Sequence, residues 1–269
     1  NLGVEGMMIT GAVIGFIFAV NTEIPIYGFI CAAIAGALLS VLFAVLTQYI
    51  MSNQVATGLG LTMVGLGLSA LIGKPYEGIR SPTLSKIEIP ILSDIPILGP
   101  MIFSHDAIVY FSIILVGTVA FVISKTRVGL VLRAVGENQE AAHALGYKVV
   151  RIRFLAIMFG GATAGIGGAY ISLARVPQWT EGMTAGAGWI ALALVVFASW
   201  KPWRVLLGAY LFGGITVLQL NLQAIGVAIP VEILSMSPYL VTIVVLVGIS
   251  LFGHHTAPGS LARPFHASQ

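Results

Sequence analysis

Long apolar runs dominate the hydrophobic pattern, broken at intervals by Pro, Gly, Asn or charge. Eight such segments stand out, at residues 7–20, 24–50, 54–73, 106–124, 152–173, 183–200, 204–222 and 239–252. No Asp, Glu, Lys or Arg occurs between residues 24 and 73, a stretch well beyond the roughly 20 residues a helix needs to cross hydrocarbon. The runs are continuous rather than alternating, so they predict helices and exclude the strand pattern of a membrane barrel. The first and last are short. The first reads as half of a broken or re-entrant helix, a form allowed in lipid only where protein covers the backbone. The expected fold class is all-α: a polytopic integral membrane protein with about eight hydrophobic segments, one of them broken or re-entrant.

Composition supports the membrane. Apolar residues make up 58% of the chain and charged residues 9%, against about 25% charged in soluble domains. The single cysteine, Cys31, lies in an apolar run and excludes a disulfide framework. A net charge of +3 calls for no nucleic-acid partner. His105, His143, His254, His255 and His266 form no metal-ligand spacing. The chain opens at Asn1, already within a motif-like stretch, and a further helix is expected ahead of it.

Basic residues set the expected orientation. One side collects Lys125, Arg127, Arg133, Lys148, Arg151, Arg153, Lys201, Arg204 and Arg263; the other has Lys74, Arg80, Lys86 and Arg175. The first side is read as cytoplasmic. Residues 1–253 then form one transmembrane domain, with an external loop at 74–105 and a cytoplasmic loop at 125–153. Residues 254–269 form a polar cytoplasmic tail, expected to be loosely ordered. In the external loop, residues 87–100 mix apolar residues with Pro and polar ones and are expected to lie against the membrane surface. Gly161, Gly165 and Gly168, with Ala164, fall on one helix face and predict close helix packing.

The 125–153 loop carries six Lys or Arg and two Glu. Within it, Asn138 can cap a helix starting at Gln139. Glu140 suits the first turn, and Gly146 suits a left-handed turn after the end. Such a two-turn helix is too short to be stable alone; it is either a docking element or a solvated connection. Its sequence bears on that choice. Glu140-Ala141-Ala142 followed by Gly146 resembles the Glu-Ala-Ala-x-x-x-Gly loop of ABC importer permeases. The string from Arg133 to Ala142 is similar to the corresponding loop in the branched-chain amino acid, ribose and nucleoside group. Residues 1–8, 53–55, 92–100 and 181–193 match further stretches of that group in the same order, closest to its nucleoside and simple-sugar branch. Two departures stand out: members often have Pro where Gln139 stands, and a larger or basic residue at Ala187.

The resemblance implies a permease subunit of a bacterial ABC importer in the inner (plasma) membrane, carrying a nucleoside or simple sugar. The coupling residues it implies are Arg133, Glu137, Asn138, Glu140, Ala141, Ala142 and Gly146. ATP and Mg would be bound by partner ATPase subunits, since the chain has no Gly-x-x-x-x-Gly-Lys loop of its own. The other implied partners are a second permease subunit, of the same or a related chain, and an extracytoplasmic substrate-binding lipoprotein. Polar residues in or beside apolar runs are costly and mark either internal pairing or a solute path. Asn1, Glu5, Asn53, Gln54, Glu181, Thr184, Gln219 and Gln223, with Asn221, are the path candidates; amides suit a neutral, hydrogen-bonding solute. The alternatives are a secondary transporter or facilitator working without an ATPase, or a membrane scaffold. The first would usually carry an acid, base or ion site at the membrane centre, whereas the acids here fall near span ends.

Overall fold

The computed structural model describes residues 1–88, 104–226, 230–252 and 257–265. Its helices are α1 (Val4–Thr22), α2 (Pro25–Ala44), α3 (Gln54–Gly73), α4 (Ala107–Lys125), α5 (Arg127–Glu137), α6 (Gln139–Ala144), α7 (Val149–Tyr170), α8 (Ala187–Phe197), α9 (Pro202–Ala224) and α10 (Val231–Phe252). Wider π turns, Val45–Tyr49 and Ile171–Arg175, extend α2 and α7. The all-α expectation needs one amendment. A small antiparallel ribbon joins β1 (Lys86–Glu88) to β2 (Ser104–Asp106), with Lys86 opposite Asp106. Most of the stretch expected to lie on the membrane surface falls outside the described residues.

Six helices, counted with their terminal turns, are long and apolar enough to cross a membrane: Val4–Thr22, Pro25–Tyr49, Gln54–Tyr76, Ala107–Lys125, Val149–Arg175 and Pro202–Ala224. These six are counted among the described residues and do not confirm the count of about eight. The first apolar run is no half-helix, because it belongs to the unbroken 19 residues of α1. The short element is instead α8, whose 11 residues make about 16 Å of helix, roughly half the hydrocarbon thickness. α10 runs 22 residues with Pro238 inside it. Proline cannot donate to the carbonyl of Leu234; the Ser237 hydroxyl donates there instead, at 2.7 Å.

α1 is the centre of the bundle, packed among α2, α3 and α7. It is buried on every side, including Met7, Ile9, Ala12, Val13 and Phe16, as an all-round apolar helix should be. Small residues make this possible. A Cβ added to Gly11 would strike the backbone of Gly165, one on Gly165 the Ala32 carbonyl, and one on Gly168 the Met8 carbonyl. A Cβ on Gly161 would meet Ser40 and the Gly36 carbonyl. The expected glycine face of α7 is thus a backbone-to-backbone contact.

Contacts climb together along three of these helices. Gly6 lies on Leu61, while the Asn21 amide donates to the Tyr76 hydroxyl at 3.2 Å. Leu173 packs with Val13 and Phe16. Hence α1, α3 and α7 run parallel and α2 antiparallel to them. In contrast, α4 buries only Ala120 and α9 only Gly208, leaving their apolar faces for lipid or a second subunit.

The seam gives a sharp test within one helix. Gly160 has nothing within 4 Å of an added Cβ, whereas Gly165 meets backbone. Gly165→Ala should lower stability in detergent by about 3 kcal/mol or more, since the clash is with main chain that cannot rotate away. Gly160→Ala should be neutral or slightly stabilising. Equal thermal unfolding of the two variants would refute the packing argument.

Candidate functional site

Residues 177–186 carry the chain into the bundle. Gln178 bridges to Arg80, and Trp179, fully buried, covers the face of Gly73. The following turns use positive φ at Gly182, Ala185 and Gly186, and α8 starts beside the first turn of α1. Gly6 of α1 lies on Leu61, seven residues into α3. The N-terminus of α8 therefore sits about 10 Å inside the bundle.

Glu5, only 3% exposed, meets it there. The Thr184 hydroxyl and the Gly186 N–H donate to its Oε1 at 2.6 and 2.9 Å, and the Gly188 N–H donates to its Oε2 at 2.7 Å. Two of the N–H groups that a helix start leaves unpaired are thus met by an acid from another helix, where the helix dipole favours negative charge. Gly188 has to be glycine, because a Cβ would lie 2.7 Å from the Cα of Glu5. Glu5 and Thr184, both path candidates, are brought together but satisfy one another. Glu5 lies in the first turn of α1, near the end of a span as expected of the acids, and is buried there.

Next to this junction lies a cavity of about 420 Å³, lined by Ala185, Gly186, Trp189, Ile190, Ala193 and Tyr239. The exposed rings of Trp189 and Tyr239 give it two flat aromatic faces, suited to stacking on a sugar or a base. Trp189 is fixed by donating its indole N–H to the Leu2 carbonyl at 3.1 Å, and Tyr239 by an edge contact with Phe212. Neither aromatic was among the sequence candidates. The signal available was Trp189 one residue past the Gly186-Ala187-Gly188 turn.

The remaining path candidates sit elsewhere. Asn53 is an exposed cap, its Oδ1 accepting from the N–H groups of Val55 and Ala56; Gln54 is the first residue of that helix. Asn1 accepts from Gly3 N–H at 2.9 Å, and Glu181 is exposed in the turn before Thr184. Gln219 and Gln223 are half-buried on α9, with the Gln223 amide nitrogen buried and unpaired. Asn221 is exposed and donates back to the Val217 carbonyl. Among the described residues no group of three or more His, Cys, Asp or Glu gathers as a metal site would.

At the α5–α6 end the short helix forms where the sequence places it. Asn138 Oδ1 accepts from Ala141 N–H at 3.0 Å. Past the end, Gly146 has φ +89°, its N–H donating to the His143 carbonyl, while Tyr147 N–H donates to that of Ala142. This is a complete Schellman ending. Arg133, Glu137, Glu140, Ala141 and Ala144 are exposed, but Ala142 is buried. The helix therefore does not present all its alanines outward. Its outer face also bears Leu145, 76% exposed, and Tyr147, which the sequence reading left out.

The tail expected to be loosely ordered is ordered where described. Residues 257–265 run under α5 and α6, with Phe265 packed on Val135, Ala142 and Val149.

A family model described as the branched-chain amino acid transport system permease component matches residues 1–249. A putative glucose ABC transporter permease protein of Haloferax volcanii is 38% identical, over 91% of this chain and 82% of its own length. A nucleoside ABC transporter permease protein of Lactococcus lactis is 32% identical over the same shares. A guanosine ABC transporter permease protein of Bacillus subtilis is 32% identical over 98% of this chain and 87% of its own. No solved structure matches.

The Glu5 junction should be sensitive to one atom. Glu5→Gln keeps the shape but turns an amide nitrogen toward N–H and O–H donors. The loss should be about 2–3 kcal/mol, read as a lower unfolding temperature in detergent. An unchanged temperature would show that α8 does not depend on this carboxylate.

Proposed function

The chain belongs to the permease-component family of branched-chain amino acid transport systems, and from that membership we propose how it works as the membrane subunit of an ABC importer for nucleosides or simple sugars. It is a transport subunit and not an enzyme; separate ATPase chains hydrolyse the ATP. The observation that carries the solute class is the similarity, along nine-tenths of the chain, to glucose, nucleoside and guanosine permeases. The cavity beside Trp189 and Tyr239 agrees with it, because flat aromatic faces suit both kinds of ring.

In this reading the chain lies in the plasma membrane, the inner membrane of a bacterium, with residues 125–153 in the cytoplasm and 74–105 outside. A second permease subunit completes the path, and an external binding protein delivers the solute. The ATPase grips α6 through Ala141, Ala144, Leu145 and Tyr147, with Glu140 at the rim. The Asn138 cap and the Schellman ending satisfy the two ends of that helix and so define its shape. Glu5, its oxygens engaged by three donors, is a structural tie between α1 and α8.

Two tests follow from this. In a Cys31→Ser background, an impermeant thiol reagent on intact cells should label Glu77→Cys and leave Ala144→Cys unlabelled until the membrane is opened. The reverse pattern would invert the orientation. In vesicles holding the chain, its ATPase and its binding protein, Gly146→Val should strain a left-handed turn by about 1–2 kcal/mol, with nothing nearby for the new side chain to hit. Combined with Glu140→Lys, it should lower ATP-driven guanosine or glucose uptake while the chain still inserts. Uptake that continues without any ATPase would support the facilitator reading instead.

A further inference from the structure

Five hydrogen bonds join the tail to the loop that bears α6. Ser260 N–H donates to the Gly136 carbonyl at 2.9 Å. Gln139 N–H donates to the Ser260 hydroxyl at 3.0 Å, and the Gln139 side-chain amide donates to the Pro264 carbonyl at 2.9 Å. Arg153, the fifth residue of α7, donates to the Arg263 and Ser260 carbonyls at 2.9 and 3.0 Å. The Phe265 ring closes the underside, stacked edge-on against His143 at 5.3 Å between centroids. Gly259 lies so close that a Cβ there would be 2.6 Å from the Glu137 carbonyl. Ser260 and Gln139 are both buried.

A six-residue helix on a loop has little stiffness of its own. α6 touches α7 only sparingly, and Gln139 reaches the tail, not the membrane helices. The same Ser260 is held by Arg153 of α7, the helix whose glycine face is the bundle seam. We propose that residues 258–265 are a transmission plate: they latch α6 to α7, so that displacement of α6 by a partner is passed through Ser260 and Arg153 to the bundle. Gln139, Ser260 and Arg153 are its positioning residues. This rests on the reading that α6 is where the ATPase acts.

Gln139→Pro separates the latch from the helix. Proline suits the first position of a helix, and Asn138 already has the extended backbone that a following proline demands. The variant keeps α6 but deletes both of its bonds to the tail. In vesicles with the ATPase and binding protein, Gln139→Pro should leave ATPase copurification and ATP hydrolysis in place. Solute moved per ATP should fall by roughly tenfold, the population shift expected when two hydrogen bonds are lost; the Pro that members of the group often carry at this position makes the latch a feature of this chain and not of the group. Ser260→Ala should do part of the same, Ser260→Thr should retain coupling, and the Gln139→Pro/Ser260→Ala double variant should be no worse than Gln139→Pro alone. Unchanged transport per ATP in Gln139→Pro, or fully additive losses in the double variant, would overturn the plate. Gly146→Val keeps the outcomes apart. If it uncouples while Gln139→Pro does not, only the plate fails; if it leaves coupling intact, the role of α6 itself fails.

Discussion

A carboxylate against the start of a helix holds the interior together. A half-length helix beginning inside an apolar bundle leaves N–H groups with no water to meet them, at a cost of several kcal/mol each if unpaired. Glu5 removes two of these and takes the Thr184 hydroxyl as well. The exchange is mutual, since a buried acid is equally untenable without donors. The position of α8, the shape of the turn at 182–186 and the cavity beside Trp189 all follow from that one junction. The junction requires α1 to be fixed, and the small-residue packing of α1 on α2, α3 and α7 fixes it.

Much of this was legible in the sequence and some was not. Helix starts and stops obey local chemistry, so Asn138, Gly146 and the glycine face of α7 could be read in advance. The partner of Glu5 could not be, because Thr184 and Gly188 lie some 180 residues away and only the fold brings them to it. The same holds for the tail: Pro258, Gly259 and Pro264 look like loop residues, and the order they acquire comes from Gln139 and Arg153. Apolar runs also fail to report their own length in the membrane. Residues 183–200 look like a span, yet the turn at 182–186 and the break at Ser199 and Trp200, both at positive φ, leave only α8 between them. Asn53 illustrates the opposite error, a polar residue beside an apolar run whose side chain merely finishes its own helix.

Family membership and geometry answer different questions here. The relatives speak to the class of protein and the kind of solute their own names carry. The packing speaks to which parts of this chain can move: α4 and α9 touch the core at few buried positions, whereas α1 and α7 share main chain.

The seam between α1 and α7 has a mechanical corollary. Where glycine backbones touch, there are no rotamers to switch and no side chains to slide past each other. Such a contact behaves less like a bearing than like a weld. α1, α2, α3 and α7 then behave as one rigid block, so that a displacement delivered to α7 carries all four together.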